Sequence, residues 1–494
     1  MAEKVHQHPN SVTVEKCIIR KFDNSAQVCY EEPIGNDMII SFDFMESITS
    51  PFVSGQLLLS DSADFINTFP IEGGEQILMS INHSFDKDAR DYDLRVYKIG
   101  GRTIDGKKQT YSLMLVSEEA IVNESVRVQE PLDGNSESLT IKLLREKLNS
   151  SKRVMSEPSR FKVRMIPGSM RPFDIIARLI RRSVSSQTSY GQSRETSDTT
   201  STEQEIKGSA GFFFWETFRG YNFFSIDALC DTSEEQTFIF KDKQDGKKES
   251  KPRLETEAWG PYEEAVANTE EGKDARFILT AFTFQSEVDI MTSLRMGKYS
   301  TKMIFFNHST GQYDEYVYKI RDSYNNMAHL GGQSQPNFVP GNTDDLSDKP
   351  TRIMSAVLDP ETWYDDPNIG DPDVKDVKNP TEYADWTKYY AAQSVARVDL
   401  LRNQESVMKI PPNPLICAGD KVTVLLQNKT SDADKVKKPY DLESSGVYLV
   451  RQVTHTFNFV NSGTGSGFTT LRLFRDSYGS DIEPSNRGNV KENK

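Results

Sequence analysis

The chain has 494 residues, 36% of them hydrophobic and 10% aromatic, with a net charge of −14. That supports roughly two to four domains with ordinary cores, and it excludes a disordered polymer and a protein built around a broad basic nucleic-acid face. No apolar run reaches about 18 residues and no basic-then-apolar stretch opens the chain, so neither a membrane span nor a signal peptide is expected.

Residues 1–37 begin polar and turn weakly strand-like, with Val12, Val14 and Cys17–Ile19 suited to an edge strand. Alternation then becomes strong. Met38, Ile40, Phe42 and Phe44 form one period-2 face, Val53, Gly55, Leu57 and Leu59 a second, and Ile77, Met79 and Ile81 a third. Period-2 patterning predicts half-buried strands. Between the second and third, Ser62 is placed to cap one helical turn carrying Phe65, Ile66 and Phe69, with Pro70 stopping it. Tyr92, Leu94 and Val96 line a further strand, and Tyr111, Leu113 and Leu115 another; a turn over Ile99–Lys108 holds three glycines. Such closely spaced strands predict a small barrel, because closure removes exposed edges.

A helix is expected over 137–149, with Leu139, Leu143, Leu144 and Leu148 inward. A second starts at Pro172 and carries Phe173, Ile176, Ala177, Ile180 and Val184 inward, while Arg178, Arg181 and Arg182 face solvent. After a Ser/Thr/Gln-rich loop, GFFFWETFRGYNFFSIDAL (211–229) predicts a core hairpin that turns at Arg219-Gly220, with Ser225 capping a following helix. Strands are then expected at 276–285, KYSTKMIFFN and DEYVYKI, a helix around Val288–Met296 closed by Gly297, and an amphipathic helix within 382–404. The last region reads as SVMKI, a turn into KVTVLL, one long strand SGVYLVRQVTHTFNFV, a flexible NSGTGSG turn and the return strand FTTLRLFRDS. The expected fold class is mainly β (α+β), with two small β-barrels flanking or interleaved with an α+β middle. The boundaries are 1–130 for the first barrel, 131–395 for the middle with polar loops at 183–209, 241–274 and 331–380, 396–480 for the second barrel (which can draw in parts of 211–330), and a disordered tail at 481–494.

The residues that suggest chemistry do not complete a motif. GRTIDGK (101–107) matches a phosphate loop until Lys108 replaces the required Ser or Thr, and the chain runs on into a strand instead of a helix. The six histidines make no HExxH, GTGSG (463–467) is not a nucleophile elbow, and Pro367 and Pro372 break the acidic 365–376 run as a calcium loop. Cys17, Cys29, Cys230 and Cys417 lack CxxC spacing and suit a reducing cytoplasm. No catalytic, cofactor-binding or metal residue is therefore assigned, and no enzyme activity is expected. Any two of the 73 acidic residues could still converge as a glycosidase pair.

The order of the blocks carries a resemblance. An apolar strand, SPFxSG (50–55), a strand ending in a Ser/Asp turn, a one-turn helix and PIxGGE (70–75) are followed by PFDIIARLIRRSV (172–184), GFFFWETFRGYNFFSIDAL, VDIMTSLRMG (288–297), and AGDKVTV, SGVYLVRQVTH and LRLFRDS within 418–477. This resembles the baseplate central hub protein of contractile-tailed bacteriophages, the adaptor between tail tube and spike. The spacers at 330–380 and 427–445 do not align with that pattern. The resemblance implies a structural homotrimer in the virion tail baseplate, assembled in the host cytoplasm. Each subunit gives two barrels to a six-barrel ring, which meets the six-fold tail-tube protein on one side, the trimeric central spike on the other, and further baseplate proteins around it. DNA would only pass through the channel, which an acidic wall suits. Edges for pairing between subunits are expected among 38–60 and 446–475. Two alternatives are a hub fused to a cell-wall hydrolase hidden in 130–390 and a carbohydrate-binding tail accessory whose 212–224 aromatics stack on sugars.

Overall fold

A computed structural model describes residues 10–23, 25–83, 89–159, 162–186, 210–231, 253–256, 278–287, 289–307, 313–324, 327–331, 346–358, 391–426, 441, 443–461 and 463–477. The amino-terminal strands are β1 (Ser11–Phe22), β2 (Val28–Pro33), β3 (Ile39–Ser47), β4 (Ser54–Asp61), β5 (Gln76–His83), β6 (Arg90–Asp105) and β7 (Lys108–Val116), with helix α1 (Phe65–Thr68) between β4 and β5. The middle holds α2 (Glu118–Ser125), β8 (Leu132–Asn135), α3 (Ser136–Lys142, continued by a π turn at Leu143–Lys147), β9 (Val154–Ser156), β10 (Lys162–Met165), α4 (Pro172–Ile180), β11 (Phe212–Thr217), β12 (Gly220–Ser225) and α5 (Ile226–Cys230). Next come β13 (Arg253–Thr256), β14 (Ile278–Leu279), β15 (Ala281–Glu287), α6 (Ile290–Met296), β16 (Ser300–Asn307), β17 (Tyr313–Lys319), α7 (Ile320–Tyr324) and β18 (Arg352–Leu358). A helix at 391–400 leads into β19 (Gln404–Ile410), β20 (Lys421–Leu425), β21 (Gly446–Asn461) and β22 (Thr464–Arg475).

The strands close two rings. The first runs β1-β5-β6-β7-β4-β3-β21-β22 and returns to β1. The second runs β19-β22-β21-β20-β13-β14, and β14 leads through Thr280, whose N–H donates to Lys409 O, into β15 beside β19. The β21–β22 hairpin belongs to both. Its far half puts Phe457 and Phe459 into the first core with Phe42, Leu57, Met79 and Tyr111. Its near half puts Val450, Val453, Leu471 and Leu473 into the second with Met408, Val422 and Tyr448. The fold is mainly β, with an α+β middle.

The alternating faces pack as their pattern requires, and bulges account for the departures. A register shift between Ile39 and Ser41 turns Ile39 inward and leaves Ile40 half-buried. A second, between Val450 and Gln452, lets Val450 and Val453 share one core although three residues separate them. The expected edge strand at Val12–Ile19 is instead internal, since β1 pairs with β5, β2 and β22. Ser62 does not cap α1: the cap position is Asp64, whose side chain makes no capping bond, and the Asp61 carboxylate at the end of β4 instead accepts from the Ala63 and Ile66 backbone N–H groups at 3.0 and 3.2 Å. The predicted Ile99–Lys108 turn is mostly strand, because β6 and β7 continue to a tight connection at Gly106-Lys107.

In the middle, β11, β12 and β9 form a three-stranded sheet buried on both faces. Phe212, Phe214, Tyr221 and Phe223 pack against α3 and α4, while Phe213, Trp215 and Phe224 meet Ile48, Ala418 and Leu449 from the barrels. Two buried faces explain an unbroken aromatic run where alternation would otherwise be expected. On α4 the inward residues are Phe173, Ile175, Ile176 and Leu179, whereas Ala177 is exposed, so the apolar stripe is rotated from its predicted position. Ser225 caps α5 by accepting from Ala228 N–H at 3.1 Å, and Gly297 closes α6 at φ 79°. β17, β16 and β18 form a further sheet on the helix at 391–400. Strands β13 and β18 thus arise inside regions expected as loops (241–274 and 331–380). Apart from residues 331 and 346–351, the rest of those loops, together with residues 187–209 and the 481–494 tail, lies outside the described residues.

The expected NSGTGSG turn is largely strand, and its glycines have steric work there. A Cβ on Gly465 would lie 2.0 Å from Asn458 O, and one on Gly467 2.8 Å from Phe457 Cδ1. Only glycine lets the two strands approach so closely. Gly465→Ala should therefore lower unfolding free energy by about 1–3 kcal/mol, read from a urea midpoint. An unchanged midpoint would mean that this spacing is not a constraint.

Candidate functional site

With the barrels sharing one hairpin, the chain's distinctive geometry is the joint between them. The β11–β12 turn reaches into it. Gly220, at φ 123°, makes the turn possible, since a Cβ there would lie 2.3 Å from Arg153 O. Thr217 Oγ1 accepts from Arg219 N–H at 3.2 Å and shapes the tip. At the tip, the Phe218 ring stands edge-on to Tyr92 with centroids 6.0 Å apart, and the Arg90 guanidinium lies 4.2 Å over it. Tyr92 is part of the first barrel's core.

Charges complete the joint. Arg219 donates twice to Asp420, Nη1 to Oδ1 at 2.8 Å and Nη2 to Oδ2 at 3.1 Å. Burial works against the Arg219 cation, and Asp420 outweighs it, so the guanidinium stays charged. Asp420 also accepts from Cys417 N–H at 2.9 Å, which fixes the loop before β20. Glu46, at the end of β3, accepts from Phe218 N–H at 2.6 Å and Ala418 N–H at 3.1 Å. One carboxylate thus ties the first barrel to the aromatic hairpin and to the second barrel. Trp215 Nε1 donates to Ala418 O at 2.9 Å, over Gly419, where a Cβ would lie 2.4 Å from the indole.

Two further clusters brace the joint. Lys152 Nζ bridges Glu119 at 2.6 Å and Glu216 at 2.5 Å, and Glu216 accepts from Val53 N–H at 3.1 Å. Behind the second barrel, buried Arg397 donates to Asp476 at 2.9 Å and pairs with Asp227 at 3.1 Å, and Asp476 accepts from Leu330 N–H at 2.9 Å. Hydrogen bonds from His329 and the charge of Arg397 hold the Asp476 carboxyl far below its usual range, overcoming burial. These groups are engaged mainly with one another and with backbone groups, and they organise packing.

The residues weighed as chemical motifs are scattered. Gly101–Lys107 lies on the β6–β7 hairpin and opens no helix. His455 is buried beside Thr469, 2.9 Å away, and burial pushes its imidazole down to about 3, so it is neutral. His329 lies on the Asp476 cluster, and His83 is in the first barrel. His6, His8, His308 and the 365–376 acidic run lie outside the described residues. Among the described residues, no three His, Cys, Asp or Glu side chains are grouped to hold a metal ion, and no helix is long and apolar enough to cross a membrane.

The expected inter-subunit edges are corrected by the topology. β3 lies between β4 and β21, β4 between β3 and β7, and β21 and β22 lie inside the rings, so none of them offers an open edge. The open edges are elsewhere. All six residues of β2 are exposed, Tyr30 by 68%, and this strand pairs only with β1 among the described residues. β6 leaves β5 after Val96, and its remaining stretch from Tyr97 forms an arm with β7 that is exposed at Tyr97 and Ile104. The signal for β2 was present in VCYEEP, a short alternating run ended by acids and proline, which is how natural edges are written.

No protein-family model matches the sequence, and no curated protein matches it at a significant level. Solved structures do resemble it in overall form. A tail protein from Neisseria meningitidis MC58 is 11% identical with a TM-score of 0.43, over 94% of this chain and 96% of that one. The 43 kDa tail protein of prophage MuSo2 from Shewanella oneidensis is 9% identical with a TM-score of 0.44, over 93% and 98%. A chain of the Francisella PdpA–VgrG complex is 8% identical with a TM-score of 0.45; 96% of this chain covers 54% of that one.

Burial raises the Glu46 carboxyl to about 7 from 4.5, against the pull of its two backbone N–H donors and of Arg219. A folded value above the unfolded one means that the folded chain keeps a proton the unfolded chain releases between those limits. Stability should therefore fall as pH rises through that window, by on the order of 3 kcal/mol from this group, and level off above it. Glu46→Gln should abolish this part of the slope in urea melts at pH 5 and 7.5. A wild-type-minus-variant difference that does not change with pH would contradict the assignment.

Proposed function

We propose that the chain is a structural baseplate hub. Three copies form a ring that joins a six-fold tail tube to a trimeric central spike in a contractile phage tail. The observation that carries this reading is the pair of closed barrels within one chain, fused through the β21–β22 hairpin. Two rigidly linked barrels per subunit give three subunits six similar units around one axis, which is what a three-to-six symmetry match demands. A faint likeness between the barrels adds support. LLLSDS ends β4 and LRLFRDS ends β22, and in each the Asp is buried and accepts backbone N–H groups, Asp61 from Ala63 and Ile66 just beyond its strand and Asp476 from the sequence-distant Leu330.

In this reading the partners are two further copies, the tail-tube protein, the central spike and neighbouring baseplate proteins; DNA passes without specific contact. The place of action is the virion tail, after assembly in the host cytoplasm. The role is mechanical, not enzymatic. Burial of Phe212–Trp215, Tyr221, Phe223 and Phe224 supports the hub reading over a sugar-stacking accessory, since those rings face cores and of the 212–224 aromatics Phe218 alone is exposed, at 42%. The hydrolase alternative remains distinguishable by assay on cell-wall substrate.

Light scattering after size exclusion should give a mass close to three times 56.0 kDa, and electron micrographs should show a ring. A chain that stays monomeric at all concentrations and with spike protein added, or one that lyses cell walls, would remove the hub reading in its present form.

A further inference from the structure

Two open β-edges lie on the first barrel, β2 and the stretch of β6 from Tyr97, and their chemistry is opposite. β2 reads Val28-Cys29-Tyr30-Glu31-Glu32-Pro33, acidic and wholly exposed. The β6–β7 arm carries Lys98, Arg102, Lys107 and Lys108 against Asp105, a basic patch on a chain whose net charge is −14. Each edge also offers apolar contact: Val28 is 49% and Tyr30 68% exposed on β2, Tyr97 53% and Ile104 65% on the arm. An exposed strand edge with large apolar side chains is ordinarily blunted, because it invites another strand. Register shifts after Val96 and Gly100 mark where β6 parts from β5, so from Tyr97 onward β6 has an open outer side while β7 stays paired with β4 from Gln109 to Val116. The arm does not serve its own β2, since β1 and β5 stand between β2 and β6 in the sheet.

We infer that the arm of one copy docks beside β2 of the next, setting Lys98 and Arg102 against Glu31 and Glu32 and extending the sheet between subunits. The contact uses different surfaces on the two partners. It is therefore heterologous, the kind that closes into a ring when the rotation between copies allows. This inference rests on the hub reading and names the surface through which its ring would close.

The test uses the full chain. Cys29 is exposed on β2, whereas Cys17, Cys230 and Cys417 are buried. Ile104→Cys places a second accessible thiol on the arm. A short bismaleimide should then link copies into dimers and trimers on a denaturing gel, and adding Cys29→Ser should abolish the ladder. Independently, Lys98→Glu with Arg102→Glu should weaken self-association roughly tenfold or more, and Glu31→Lys with Glu32→Lys in the same chain should restore it. A trimer by light scattering that neither crosslinks through Cys29 nor responds to the charge reversals would overturn this inference and leave the hub reading standing. A persistent monomer that forms no ladder overturns both.

Discussion

The structure depends on one shared hairpin. β21 and β22 are long enough to cross two barrels, and each strand changes core partway along. A strand common to two closed sheets leaves little freedom for hinge or twist, because bending it would break ladders in both. The crossing needs small or neutral residues where the cores meet. His455 supplies a neutral imidazole stacked between Phe44 and Phe457, and Gly465 and Gly467 let the strands close up beyond it. The two barrels are therefore coupled through the same pair of strands.

Around this unit the joint is held by paired charges, fully buried at Arg397–Asp476–Asp227 and partly exposed at Arg219–Asp420. Burying an ion pair gains little by itself, since desolvation offsets attraction, but losing one partner of such a pair costs about 3–5 kcal/mol. That cost applies to the fully buried Arg397–Asp476–Asp227 cluster, where wrong docking of the helix would strand a charge, and less to the partly exposed Arg219–Asp420 pair. Glu46 adds a different element. It meets two backbone N–H groups from segments far apart in sequence, so it specifies where the aromatic hairpin and the pre-β20 loop sit relative to β3. The aromatic rings around it supply most of the apolar burial, and the charges decide its geometry.

The outside of the molecule follows a separate logic. Most strands of the rings are paired on both sides, and among the described residues the first barrel's open edges are β2 and the stretch of β6 from Tyr97. Open edges on an otherwise closed fold concentrate the capacity for association in a few places.

Much of this was legible in the linear chain. Period-2 alternation located β3, β4, β5, β6 and β7, Pro172 and Gly297 marked helix ends, and Ser225 was placed correctly as a cap, because each of these rests on interactions within a few residues. The order of conspicuous blocks supplied the resemblance to tail hubs. Tertiary structure alone decided the rest. That β21 and β22 close the first barrel depends on pairing with β1 and β3, more than 400 residues distant, and no local pattern records such a partner. Bulges at Ile39 and Arg451 shift the inward face by one residue, and periodicity alone does not reveal a bulge. The unbroken aromatics of β11 and β12 have no readable face because both faces are buried. Whether β3 and β4 would be edges was likewise beyond sequence, since an edge is defined by the absence of a neighbour, and neighbours are chosen only when the chain has folded.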